Sequence, residues 1–321
     1  MLQPNSRYTV NGVKVCEKII PDGTRWKSTT KAAAAGFAPS SLYKKQQKLT
    51  KNSGKPMSIT IHNTEDLHNV HEDAEQYTRA TYNENMGSAR IHFYVDDVGA
   101  WQNLKAGTGM CENDPEGSAE ISWHAGDGSA ADGGNMTSLS IEIIMGDESD
   151  KDAKARDNGA RLAAWLLWKH GLDISGLVTH TYWVNKSAGK HFDDVDEQCT
   201  RLIYGKKWCP AYIFKSPTQK YAISNWKAFK KLVKEYLDKC YTTDDRTSEA
   251  DIAEPYLVKI SADKVYIRSG AGTNNAVTGS IIGGGVFTII AEAHGYGAQL
   301  WGKLKSGMGW IPLDNTQKLY Q

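Results

Sequence analysis

Long hydrophobic runs are missing from this 321-residue sequence. No stretch approaches the ~18 apolar residues of a membrane-spanning helix, and mean hydropathy is -0.52, so a transmembrane helix is excluded. An excess of one charge is missing too. Lys and Arg (38) nearly cancel Asp and Glu (37), leaving +1. No block of like charge is long enough to grip nucleic acid or an anionic membrane. Cysteine is sparse: five residues, at 16, 111, 199, 209 and 240, an odd number widely scattered. That pattern argues against a disulfide scaffold. The opening MLQPNSRYTVNGVKV has neither a basic n-region nor an apolar h-region of ~7–15 residues, so no classical secretion signal is expected and synthesis in a cytoplasm is.

What is present points to a globular protein. A hydrophobic content of 40% excludes wholesale disorder, and at roughly 100–200 residues per domain the length implies two domains. Ten Trp, 15 Tyr and 30 Gly suit extended polar ligands such as glycans and peptides, and equally suit the filling of two cores.

Along the chain, residues 1–50 are mixed. TVNGVKV reads as a short strand and KAAAAGF as a helical turn, with no chemistry assigned. Met57 to His62 alternates apolar and polar residues, the pattern of a strand ending at a histidine. A turn and a helix from His71 to about Asn83 follow. Ala89 to Val95 and Leu139 to Ile144 read as strands separated by a long Gly/Asp-rich loop, a candidate site wall. Asp152 to His170 is rich in helix formers and stops at Gly171, a good C′ residue. Leu177-Val178-Thr179 is a short strand leading to His180. After an irregular, charged passage comes Lys207-Trp208-Cys209-Pro210. Ser216-Pro217 opens a helix whose Tyr221, Ala222, Trp226, Phe229, Val233, Tyr236 and Leu237 form a core stripe. Strands alternating with helices predict an α/β domain over residues 1–241, with its core at about 57–240. Residues 242–254 read as a linker, and the short alternating segments of 255–321 predict a small all-β barrel.

Two histidines that each follow a strand, together with a cysteine in a proline-stiffened turn, make His62, His180 and Cys209 a candidate ligand set. Two imidazoles and a thiolate suit Zn²⁺, and three protein ligands leave a fourth position for water, as in a hydrolytic site.

Ile59-Thr60-Ile61-His62-Asn63-Thr64, Ser140-Ile141-Glu142-Ile143, Val178-Thr179-His180 and Lys207-Trp208-Cys209-Pro210 occur in this order. Together they resemble the zinc-dependent N-acetylmuramoyl-L-alanine amidases related to peptidoglycan recognition proteins. The resemblance spans roughly Ser58 to Phe214 and implies a central mixed β-sheet flanked by helices. It places zinc ligands on His62, His180 and Cys209, the catalytic carboxylate on Glu142 and an oxyanion-stabilising lysine on Lys207. Cys199, in Asp-Glu-Gln-Cys-Thr, reads as part of an insertion. His92, Trp123 and His124 resemble positions near the substrate groove. The implied reaction is hydrolysis of the amide joining N-acetylmuramic acid to L-alanine by zinc-activated water.

The C-terminal segment, with Val265-Tyr266-Ile267-Arg268-Ser269-Gly270 and Gly309-Trp310-Ile311, resembles the bacterial SH3-like cell-wall-binding domain. The combination implies an endolysin or autolysin acting on the peptidoglycan of Gram-positive walls. It would be made in a host cytoplasm and reach the wall after holin-type release or from outside. The rival readings are a non-catalytic peptidoglycan receptor on the same fold and a cysteine endopeptidase of the wall. Neither Cys16 nor Cys111 sits in a nucleophile context.

Overall fold

The computed structural model describes residues 2–21, 48–49, 51–64, 73–83, 89–127, 130–146, 150–203, 205–206, 208–215, 218–243, 250–273, 275–295 and 297–319. The KAAAAGF turn, Ser216-Pro217 and residues 244–249 of the expected linker lie outside them; the linker's first two residues are helical and its last five belong to a strand. Two compact units are formed: Met1–Ala163 with Ser175–Lys234, and Ala164–Ile174 with Glu235–Gln321.

The first unit is built on seven strands: β1 (Ser6–Val10), β2 (Val13–Glu17), β3 (Ser58–Asn63), β4 (Phe93–Val95), β5 (Ala100–Gln102), β6 (Ser138–Ile143) and β7 (Leu177–Thr179). They form one mixed sheet in the order β1-β2-β5-β4-β6-β3-β7, as the resemblance implied. TVNGVKV is not one strand but a hairpin. Asn11 and Gly12 both take positive φ, 46° and 81°, as an Asn-Gly turn of type I′ does. The hairpin belongs to the sheet, because β2 pairs with β5 in parallel.

Strands β4, β6, β3 and β7 run parallel. Alternation puts Ile59, Ile61, Leu139, Ile141 and Ile143 on one face and Thr60, His62, Ser138, Ser140 and Glu142 on the other. Helices α1 (Ala74–Tyr82), α2 (Gly134–Thr137) and α3 (Asp150–Lys169) follow in chain order. Helix α3 closes on the apolar face, where a Cβ on Gly159 would fall 2.4 Å from Ile143 Cδ1. Its C-terminus is a Schellman motif: Gly171 has φ +66°, its N–H donates to the Trp168 carbonyl, and the Leu172 N–H donates to that of Leu167.

The passage read as irregular contains α4 (His180–Ser187) and α5 (Val195–Thr200), with N-caps Thr179 and Asp194. Then come α6 (Ala211–Phe214) and α7 (Gln219–Thr243). Ala222, Trp226, Phe229, Val233, Tyr236 and Leu237 of α7 are buried, whereas Tyr221 is 59% exposed. The buried stripe begins at Ala222 and Trp226, one turn apart, and Tyr221 precedes it by one residue, a ~100° rotation off that stripe.

The second unit carries strands β8 (Ala250–Ile260), β9 (Lys264–Arg268), β10 (Val277–Ile282), β11 (Val286–Gly295), β12 (Ala298–Leu304), β13 (Trp310–Pro312) and β14 (Thr316–Leu319). They form an all-antiparallel sheet in the order β10-β9-β13-β12-β11-β8-β14, compatible with an SH3-like domain. Its core holds Val258, Ile260, Val265, Ile267, Ile281, Ile289, Leu304 and Ile311, with Trp301 and Trp310 in a neighbouring cluster. Among the described residues no helix is long and apolar enough to cross a membrane.

Candidate metal centre

The parallel strands β3 and β7 are neighbours and end at the same edge of the sheet. His62 is the penultimate residue of β3, and His180 opens α4 directly after β7. Thr179 caps that helix by accepting the Tyr182 N–H, at 3.1 Å, which fixes where His180 emerges. Cys209 returns from far along the chain and is held by Thr181, the residue after His180. The Thr181 hydroxyl donates to the Cys209 carbonyl (2.9 Å) and accepts the Cys209 N–H (2.9 Å), and the Thr181 N–H donates to the same carbonyl.

The result is a buried group in which the ligand atoms of His62, His180 and Cys209 lie within 4.8 Å of one another. His62 Nδ1 is 3.8 Å from Cys209 Sγ, and the His62 and His180 rings are 4.8 Å apart between centroids. Two imidazoles and one thiol at this spacing fit Zn²⁺ with a fourth position open. Cys199 lies outside this group. Burial pushes its thiol up to about 12, and its carbonyl accepts the Thr179 hydroxyl. Burial likewise pushes the Cys111 thiol up to about 11, so neither offers a thiolate at neutral pH.

Glu142 is the register partner of His62 across the β3–β6 pair, on the same face and half-buried between the fully buried Ile141 and Ile143. Tyr94 flanks it from β4. Burial first, and the Glu142 charge in part, hold the Tyr94 hydroxyl above its ordinary range. Lys207 lies outside the described residues.

The three residues expected near a groove are interior. His92 has no exposed surface: its Nδ1 accepts the Ser140 N–H (3.1 Å) and its Nε2 donates to the Glu120 carbonyl (2.9 Å). Burial lowers its pKa to about 4. Trp123 is buried, and its carbonyl accepts the Arg90 N–H. His124, also buried, faces the candidate ligand His62, Nδ1 to Nε2, at 2.9 Å. Burial, then the charges of His92 and His180, hold its pKa well below the usual imidazole value. Thr60, Ser138 and Thr181 also organise the site. The alternation of Thr and Ser along β3 and β6 was the available signal for Thr60 and Ser138; nothing in the sequence marks Thr181.

The protein is 32% identical over 140 residues to the N-acetylmuramoyl-L-alanine amidase XlyA of Bacillus subtilis (strain 168), over 43% of this chain and 41% of that protein. The chain thus spans about two fifths of the length of that curated relative. Among solved structures, it is similar to the catalytic domain of XlyA, with 24% identity and a TM-score of 0.42 over 68% of this chain and 98% of that one. It is also similar to the PlyG catalytic domain, with 21% identity and a TM-score of 0.43 over 70% and 94%. The model of the Amidase_2 family, N-acetylmuramoyl-L-alanine amidase, matches residues 52–212, the stretch that begins just before β3, ends in α6 and carries His62, Glu142, His180 and Cys209. The chain belongs to that family.

Proposed function

We propose that the protein is a zinc-dependent hydrolase of the amide between N-acetylmuramic acid and the L-alanine of the peptidoglycan stem peptide. The observation that carries this reading is the convergence of His62, His180 and Cys209, with ligand atoms within 4.8 Å, beside Glu142. When bound, Zn²⁺ would supply Lewis acidity, polarising a carbonyl and bringing a water toward a pKa of ~7. Glu142 then acts as the general base that takes the water proton and returns it to the departing amine, a role that needs it within hydrogen-bond reach of both. Its place on the same sheet face as His62, as the register partner across the β3–β6 pair, favours that role. Lys207 is assigned to the developing oxyanion by the family resemblance. His92 and Trp123 act as scaffold rather than as substrate contacts.

The second unit is assigned to holding the wall as an SH3-like domain, giving an endolysin-like enzyme of Gram-positive peptidoglycan that acts after holin-type release or from outside. The test is elemental analysis of the purified full chain together with an assay for new L-alanine N-termini. Stoichiometric zinc, loss of turnover in chelator and its return with Zn²⁺ are expected. Glu142→Gln should keep zinc and slow hydrolysis by roughly 10²–10⁴-fold. Full turnover by metal-free protein that thiol alkylation abolishes would turn the assignment to a cysteine peptidase. Zinc without amine release would turn it to a receptor.

A further inference from the structure

A carbonyl oxygen has no proton to give, and that fact fixes the protons around His62. His124 Nε2 lies 3.1 Å from the Gly134 carbonyl, so Nε2 carries the hydrogen. An imidazole whose single hydrogen is on Nε2 presents a lone pair at Nδ1. That lone pair faces His62 Nε2 at 2.9 Å, which makes His62 Nε2 the donor. The remaining nitrogen of His62, Nδ1, is left with its lone pair directed at the side where Cys209 Sγ lies, 3.8 Å away.

We infer that His124 is a positioning residue for the metal: the relay from Gly134 through His124 sets the tautomer and plane of His62, so that Nδ1 is the atom offered as ligand. The inference rests on the zinc reading of the site and adds a residue that acts through a ligand without touching the metal.

The other end of the relay is anchored as firmly. The Trp183 indole N–H donates to Thr60 Oγ1 (2.8 Å), Thr60 lies 2.7 Å from Ser138 Oγ, and Ser138 donates to the Gly134 carbonyl (3.1 Å). The carbonyl therefore accepts from the Ser138 hydroxyl, the Ser138 N–H and the His124 ring together, and cannot swing away from the ring. Asn135 Oδ1 accepts the N–H groups of His124 (2.8 Å) and Ala125 (2.7 Å), while the Asp127 carboxylate accepts those of Gly134 and Asn135. A Cβ on Gly134 would fall 2.7 Å from the Trp183 indole, so the loop lies flat on α4. Each contact limits rotation of the His124 ring, which is the property required of an outer partner of a metal-ligating histidine.

Two measurements on the full chain test the inference. In ¹⁵N-histidine-labelled, metal-free wild-type protein, long-range ¹H–¹⁵N correlations should show His62 and His124 both as Nε2–H tautomers. A His62 proton on Nδ1 would overturn the relay. In the second, zinc affinity is measured by chelator competition. His124→Leu should weaken it by about 10–100-fold, the usual cost of losing an outer-shell partner. His124→Asn, which keeps an acceptor near the place of Nδ1, should recover most of that loss. Equal affinity of His124→Leu and wild type would also overturn the relay. A wild-type chain that takes up no zinc overturns the amidase reading instead, and the tautomer measurement then decides the relay by itself.

Discussion

Burial holds the His92 imidazole neutral, with a pKa near 4 against 6.5 for the exposed ring. A folded-state value below the unfolded one means that the unfolded chain binds the extra proton between those two limits. Stability from this group is therefore complete above about pH 6.5, is lost as pH falls toward 4 and changes no further below that. The shift corresponds to roughly 3 kcal/mol, at about 1.4 kcal/mol per unit. Denaturant unfolding in chelator between pH 4 and 7 should show wild-type stability falling on the acid side more steeply than that of His92→Gln. Parallel curves would show that the ring is solvated or that its proton is already shared in the unfolded chain. The same reasoning separates the histidines that sequence could not. His62 and His180 were legible because each follows a strand and a cysteine-proline turn completes the set. His92 and His124 carried the same kind of motif signal, yet their roles depend on what closes over them, and spacing says nothing about that.

Helix α4 does more than end a connection, because its first turn carries one candidate ligand, His180, and holds another, Cys209. Thr181 ties both backbone polar groups of Cys209 to the residue after His180, which is why the long excursion between them leaves the thiol in register with the two imidazoles. Removing the hydroxyl while keeping the shape, Thr181→Val, leaves the buried Cys209 N–H without its acceptor, a cost of ~1–3 kcal/mol. The melting temperature of the metal-free protein should drop and zinc affinity should weaken, with Thr181→Ser restoring both. A valine variant that binds zinc like wild type would place the positioning of Cys209 in Pro210 and α6 instead. At this scale the sequence was legible where one period dominates: β3, β6, α3 and all but the first residue of the α7 stripe. It was not legible for α4 and α5. Their caps, Thr179 and Asp194, are ordinary, and at eight and six residues both helices are too short for a 3.6-residue period to stand out. The Ser-Ile-Thr-Ile-His alternation also reads as a strand with one wet face, whereas every residue of β3 is buried. Thr60 and His62 on its polar face are met by Ser138, Trp183 and His124, partners from distant parts of the chain.

At the scale of the whole molecule, the two units have cores of their own, and the proposed roles divide between them. All the candidate catalytic groups fall in the first unit. The second closes its own core around Ile260, Ile267, Ile289, Leu304 and Ile311, and none of its described residues belongs to the His62, His180 and Cys209 group. The proposed wall-holding role makes the second unit act on the rate only through where it holds the enzyme. On an insoluble polymer a tether turns encounter into an intramolecular event, with gains of order 10²–10⁴ where the geometry permits both contacts, whereas on a small soluble fragment it gains nothing. Deleting residues 250–321 should therefore lower attachment to purified walls and the rate of wall solubilisation at low enzyme concentration, while zinc content and cleavage of a soluble muramoyl-peptide stay at the full-length level. Equal losses on both substrates, with zinc retained, would mean that the second unit supports the catalytic fold itself. Unchanged wall binding would place the wall contact in the first unit.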